Sequence, residues 1–249
     1  VSAENRRVEA SALVEELVEE LAADLQAVEQ EVVTSLSGLH APFIQLVQSQ
    51  WQSSFPLVRA AFVLTAGTLS AGSAVSGDAS DLRRQRTYLA AAMETLRLAL
   101  GVHTQLLLSE SPGAIERSLL GSTVLAGDFC FSRSAGLAAR TGSPVIVDLF
   151  AGALQRVSEG SLRRLFRPSD PLYDADRDLC LSGIAAANEL AGLPLGERDL
   201  DQRLGAYLLD GYSAGQLTPG DASEFGHLSP NRRSSWQALA VWLRAHPPA

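Results

Sequence analysis

The sequence predicts an all-α protein, a helical bundle folded as a single domain over residues 1–249. Three observations predict it. Apolar residues recur at spacings of three and four over long stretches, the period of one helix face. No segment alternates apolar and polar residues as a half-buried strand requires. Breaks built from Pro, Gly, Ser and Asp separate the periodic stretches at intervals that suit about eight to ten helices.

The elements follow in order. Leu13, Val14, Leu17, Val18, Leu21, Leu25, Val28, Val32 and Leu36 form one stripe, with Glu15, Glu16, Glu19 and Glu20 mostly off it. This first helix is long and one-faced, and it covers the protein's own core; a partner-facing stripe is the alternative. "FPLVRAAFVLTAGTLSAG" opens near Pro56, a residue suited to a first helical turn. "SGDASDLRRQ" reads as a loop in which Ser80 or Asp81 caps the next helix, "RRQRTYLAAAMETLRLALGVHTQLLLSE". "SPGA" breaks that helix. "IERSLLGSTVLAGDFCFSRSAGLAART" forms another, ended by Thr141-Gly142. Ser143 caps "SPVIVDLFAGALQRVSEGSLRRLF" and Pro144 takes its first turn, so the β-branched start still reads as helix. "RPSDP" precedes the helical "LYDADRDLCLSGIAAANELAG", "LPLGERD" reads as a turn, and "LDQRLGAYLLDGYSAGQL" is helical again. "TPGDASEFGHLSPN" is a loop, and "RRSSWQALAVWLRA" is a last amphipathic helix before Pro247. No linker and no internal repeat interrupts this order.

Composition narrows the function. Hydrophobic residues make up 46% and charged residues 19%, enough apolar mass for a substantial core. The net charge of −8 argues against binding nucleic acid or docking on anionic lipid. All 20 basic residues are arginine, so lysine-dependent chemistry is excluded. Cys130 and Cys180 lie in apolar, helix-like settings and read as buried free thiols rather than a zinc site or a disulfide. His40, His103, His227 and His246 have no metal-type spacing, and no nucleophile elbow, Walker loop or dinucleotide fingerprint is present. The longest uncharged run, from Ala60, is too rich in Gly, Ser and Thr to read as a membrane span. The acidic, amphipathic N-terminal stretch does not look like a secretory leader, so a cytoplasmic location is expected. Asp128 sits among residues expected to be buried, where a carboxylate needs a partner.

The segment around Asp128 carries a resemblance. "VLAGDFCFSRSAGLAARTGSPVIVDLFAGALQRVSEG" resembles the trans-polyprenyl diphosphate synthases. That family typically has an "LAGD" helix, a Thr-Gly-type turn and a following helix ending in Glu-Gly, here Leu125-Ala126-Gly127-Asp128, Thr141-Gly142 and Glu159-Gly160. "LAAAMETLRLALGVHTQLLL" looks like the helix that carries the family's first aspartate-rich motif, with Glu94 and His103 where the family often has Glu and the His before that motif. "FPLVRAAFVLTAG" looks like the helix that opens with Gly-Lys-Arg-x-Arg-Pro, and "LDQRLGAYLLDGYSAGQL" like the helix leading to Phe-Gln-x-x-Asp-Asp. The similarity spans about residues 50–217, is best over 89–160, and leaves 218–249 divergent.

The resemblance implies the isoprenoid-synthase fold and, in active members, magnesium-dependent condensation of an allylic diphosphate with isopentenyl diphosphate. It also marks what is missing. The acids of the first motif are replaced by Thr104, Gln105 and Leu108. Near the second motif, Gly215-Gln216 stand for Phe-Gln, Pro219 and Gly220 stand for the Asp pair, and Asp221 follows one step late. In the first cationic segment Pro56 and Leu57 replace two cations and only Arg59 remains. Arg97 stands where the family usually has His, and Cys180-Leu181-Ser182 stand for Lys-Thr-Ala. The Arg-Arg-Gly that follows the first motif in the family has no counterpart here. Magnesium prefers anionic oxygen, which Thr and Gln do not supply and Leu lacks altogether.

By family position, then, Arg59, Arg97 and Gln216 are candidate substrate-binding residues, Leu100, His103 and Asp128 are candidates for a cavity, and no catalytic, metal or cofactor site is expected. The expected function is that of a catalytically inactive homologue, a homodimer or a non-catalytic or regulatory subunit paired with an active prenyl diphosphate synthase. The alternatives are a module that binds a neutral isoprenoid or lipid in the residual apolar tunnel, and a divergent prenyltransferase with an unusual metal site recruited by Glu110, Asp128 or Asp221.

Overall fold

The computed structural model describes residues 3–41, 43–52, 57–68, 79–107, 117–166, 173–217 and 223–248. Among them the chain forms α1 (Ala3–Leu36), α2 (Phe43–Gln52), α3 (Val58–Ala66), α4 (Ala79–Leu107), α5 (Arg117–Ala139), α6 (Pro144–Phe166), α7 (Ala175–Leu190), α8 (Leu195–Ser213) and α9 (Pro230–Ala245), with a 3₁₀ turn at Ser223–His227 before α9. No strand occurs among the described residues.

α4 is the centre of the bundle. Leu89, Ala90, Ala91, Ala92, Met93, Leu96, Leu98, Ala99 and Val102 are all enclosed, so the helix is apolar on nearly every side, as a helix with neighbours all round must be. It packs against α1, α2, α3, α5 and α7. The small residues at 90–92 let those neighbours approach closely. α3 is buried along its whole length. The α1 stripe holds from Leu21 through Leu25, Val28 and Val32 to Leu36, whereas Leu13, expected on the same stripe, is exposed. Among the α1 side chains described, the first buried one is Leu21, in the helix's sixth turn.

Turn chemistry sets most of the boundaries. Gly142 closes the α5–α6 connection at φ 71°, a conformation only glycine adopts without strain. The Ser143 hydroxyl then accepts from Ile146 N at 3.4 Å, the expected cap. Asp174 caps α7 by accepting from Arg177 N at 2.9 Å. Two expectations are corrected. "LPLGERD" is not a turn throughout: after Pro194 the backbone is helical from Leu195, and Glu197 lies in the first turn of α8 where the helix dipole favours an acid. α4 already runs at Ala79, so Ser80 and Asp81 are in its first turn and do not cap it. α2 has no counterpart among the expected elements.

A buried polar network ties the C-terminal helices together. Asp201 is fully enclosed, accepts from Trp236 Nε1 at 2.9 Å and pairs with Arg232, which also pairs with Glu197. The Asn188 amide, turned with its nitrogen inward, donates to Asp201 Oδ2 at 2.7 Å and to the Ala66 carbonyl at 2.9 Å. Four helices thus share one polar cluster, which specifies their mutual placement. No helix among the described residues is long and apolar enough to cross a membrane.

Candidate functional site

Arg59 lies in the first turn of α3 and is 8% exposed. Its Nε donates to Glu94 Oε2 at 3.2 Å, and the backbone N of Ala60 donates to Glu94 Oε1 at 3.0 Å. Glu94 is fully enclosed on α4, so both of its oxygens are taken by α3. The other end of the guanidinium reaches α7, where Arg59 Nη1 donates to Asp176 Oδ1 at 2.8 Å. Asp176 occupies the first turn of α7, the turn that Asp174 caps. Arg97, one turn beyond Glu94 on α4, brings its Nε within 3.7 Å of the same Asp176 oxygen.

Two arginines and two carboxylates therefore share one cluster, with Arg59 and Glu94 buried and Asp176 at its exposed edge. Burial alone would lower the Arg59 pKa, but Glu94 and Asp176 outweigh it and hold the guanidinium above its ordinary value. Arg97 is shifted the other way: burial and the neighbouring Arg59 lower it, against the opposing pull of Asp176 and Glu94. Cys180 lies in the same field, and its burial pushes the thiol far up. Burial pushes Cys130 up to about 12. Both thiols are free and buried, and neither ionises near neutral pH.

Beside this cluster a cleft of ≈ 210 Å³ opens between α2, α4 and α7. It is lined by Gln50, Arg97, Leu100, Gly101, Thr104, Gln105, Ala175, Asp176 and Leu179. Gly101 makes room for α2: a Cβ there would stand 2.3 Å from Gln50 Oε1. Thr104 Oγ1 donates to the Leu100 carbonyl at 2.8 Å, and Gln105 Nε2 donates to Ser49 Oγ at 3.3 Å.

Of the residues singled out from sequence, Arg97, Leu100, Thr104 and Gln105 line this cleft, and Arg59 joins it through Asp176. His103 and Asp128 come together elsewhere, between α4 and α5. His103 Nε2 is 3.5 Å from Asp128 Oδ1, and the imidazole stacks on Phe131 with ring centroids 5.2 Å apart. Asp128 is exposed, not buried as expected. The inward stripe of α5 runs through Thr123, Ala126, Gly127, Cys130, Ser134, Leu137 and Ala138, and position 128 falls off it. Gln216 is exposed at the end of α8, its backbone N bonded to the Gly211 carbonyl at 2.8 Å, and it does not line the cleft. Leu108, Glu110, Pro219, Gly220 and Asp221 lie outside the described residues. Among the described residues no three of His, Cys, Asp and Glu gather closely enough to hold a metal ion. Asp176 and Gln50 are the site residues that sequence reasoning missed. Asp176 reads locally as an ordinary first-turn acid, and its only signal is its place four residues before Cys180 on one helix face.

The fold these helices make is the all-α fold of the isoprenoid synthases. In particular, the chain is similar to the crystal structure of a decaprenyl diphosphate synthase from Rhodobacter capsulatus, with a TM-score of 0.62 and 21% identity over 82% of this chain and 65% of that one. It is similar to geranylgeranyl pyrophosphate synthase from Corynebacterium glutamicum complexed with calcium and isoprenyl diphosphate (TM-score 0.62, 19% identity, 80% of this chain and 62% of that one). It is also similar to polyprenyl synthase from Caulobacter crescentus CB15 complexed with calcium and isoprenyl diphosphate (0.59, 18%, 93% and 86%). The chain thus spans less than two thirds of the length of the first two. No protein-family model matches it, and no curated protein matches its sequence.

Proposed function

We propose that this chain is a non-catalytic relative of the polyprenyl diphosphate synthases that serves as a subunit or regulator of an active synthase in isoprenoid biosynthesis. The observation that carries the reading is internal neutralisation. Arg59 and Arg97, the cations that a diphosphate would need, are met by Glu94 and Asp176 within hydrogen-bond or ion-pair distance. Releasing a diphosphate requires positive charge poised for the leaving group, and here that charge is already spent on the chain's own carboxylates.

Magnesium does not fit the described residues that line the cleft. Thr104 and Gln105 offer neutral oxygens, and Asp176, the carboxylate lining the cleft, is held by two guanidinia. No step is therefore routed through a metal. A partner is supported by exposed apolar residues in the first turns of α5, Leu120, Val124 and Leu125. The test mixes the chain with an active prenyl diphosphate synthase. The expected result is a complex by light scattering, a changed product length, and no magnesium-dependent turnover of geranyl or farnesyl diphosphate by this chain alone. Turnover by the isolated chain, or the absence of any complex, overturns it.

A second reading is favoured by the cleft itself. Leu100, Ala175 and Leu179 give it apolar walls, while Gln50 and Thr104 offer neutral polar groups. Such a cleft suits a neutral isoprenoid or lipid better than a diphosphate. Titration with farnesol against farnesyl diphosphate separates the two: this reading requires the alcohol to bind more tightly.

A further inference from the structure

A second hollow, of ≈ 310 Å³, lies between α1, α3, α4 and α9 and shares no lining residue with the cleft. Leu17, Leu21, Leu64 and Leu82 give it apolar walls. Two cations face it from α4, and they are not equivalent. Arg83 pairs with Asp24, its Nε donating at 2.7 Å. Arg86 Nε is shut off from solvent and has no hydrogen-bond partner. Its side chain lies across Gly67, where a Cβ would stand 2.7 Å from Arg86 Nε, so the glycine makes space for the guanidinium. Burial lowers the Arg86 pKa to about 10, with Asp24 pulling it up and Arg83 pushing it down; the group stays charged at neutral pH.

A partly buried guanidinium whose Nε is shut off from solvent and meets no acceptor is strained in its charge balance, and an anion reaching its remaining N–H groups from the hollow relieves that. A planar carboxylate matches that fork. The charges facing the hollow limit the ligand further. Among the described residues Glu20 and Asp24 balance Arg83 and Arg86, so a singly charged ligand is tolerated better than a multiply charged one. The leucine walls then take a hydrocarbon tail. We infer that this hollow is a binding site for a medium-chain monocarboxylate, with Arg86 clasping the carboxylate and the apolar walls holding the chain. The inference is independent of the proposed function, because it uses none of the cleft residues.

The probe is octanoate, titrated calorimetrically against the full chain, with octanol and inorganic phosphate as comparison arms. Octanoate should bind, and both comparison ligands should bind at least about tenfold more weakly. Arg86→Gln should weaken octanoate binding by at least about tenfold while the protein stays folded, because the buried Nε it removes has no partner to lose. Gly67→Ala keeps the charge but displaces it, and should weaken octanoate binding as well. Gly121→Ala, on α5 and lining neither the hollow nor the cleft, should leave octanoate binding unchanged. Equal octanoate affinity in wild type and Arg86→Gln overturns the assignment, as does phosphate or octanol binding as well as octanoate does, or a failure of octanoate to bind at all.

Discussion

Asp176 Oδ1 stands 2.8 Å from Arg59 Nη1 and 3.7 Å from Arg97 Nε, so one carboxylate from α7 answers two arginines from α3 and α4. The three residues are far apart in sequence and meet because α3, α4 and α7 pack against one another. An external anion drawn to these two guanidinia would have to compete with this carboxylate.

Asp176→Asn should therefore open the cluster to anions. Inorganic pyrophosphate, titrated without metal, should bind the variant about tenfold more tightly than the wild type, because two guanidinia regain uncommitted charge. The Asp176 side chain is 59% exposed, so the stability lost with it should stay at about 1 kcal/mol or less. Urea unfolding measures the second quantity. Unchanged pyrophosphate affinity would mean that Asp176 does not block the site.

Glu94→Gln should behave differently because Glu94 is fully enclosed. Its two oxygens accept from Arg59 Nε and from Ala60 N, and an amide presents a donor to one of them. Breaking a buried pair while leaving its cation in place costs about 3–5 kcal/mol. Arg59→Met combined with Glu94→Gln should recover part of that loss, since no lone charge is left behind. A double-mutant cycle in urea gives the coupling, which should exceed about 1 kcal/mol.

The contrast between these two acids shows what was legible in the sequence. Helices α5 and α6 are found almost to the residue, because Gly142, Ser143 and Pro144 act through local backbone chemistry. Glu94 and Arg59 are recognisable by their place in family motifs, and Thr104 and Gln105 by their place where acids are missing. Asp176 is not recognisable in this way, because its significance lies in residues 117 positions away. Asp128 misled for a related reason. Its neighbours Ala126, Gly127 and Cys130 are buried, but at about 100° per residue position 128 turns outward. α2 escaped although Phe43, Ile44, Val47 and Trp51 fall at helical spacing among its four glutamines.

Asp201 gives a pH dependence. Burial pushes its carboxyl up to about 6, against the pull of Arg232 and Trp236. The unfolded chain ionises near 3.9. A folded-state pKa raised in this way means that the native state holds its proton longer. The contribution is fully present below about pH 4, is lost as pH rises through about 6, and is constant above that. The span is on the order of 2–3 kcal/mol. Asp201→Asn should remove this part of the profile. The wild-type-minus-variant stability difference, followed by urea unfolding from pH 4 to 7, should fall with pH and then level off. A flat difference would show that Arg232 keeps Asp201 ionised throughout.

Gly127 and Gly121 on α5 should respond oppositely to alanine. At Gly121 a Cβ meets nothing within 4 Å, so Gly121→Ala gains helix propensity and should stabilise by about 0.4–1 kcal/mol. At Gly127 a Cβ would stand 2.2 Å from His103 Nε2 and 2.3 Å from its Cδ2. The imidazole has little room to retreat, because it stacks on Phe131 and faces Asp128. The same helix-propensity gain is therefore outweighed by overpacking, and Gly127→Ala should destabilise by about 1–3 kcal/mol. His103→Ala removes the obstacle. In that background Gly127→Ala should become neutral or stabilising, which separates a clash with the ring from any backbone requirement for glycine. Thermal unfolding of the four variants decides it, since a penalty at Gly127 that persists without the imidazole would place its cause in the α4–α5 backbone contact instead.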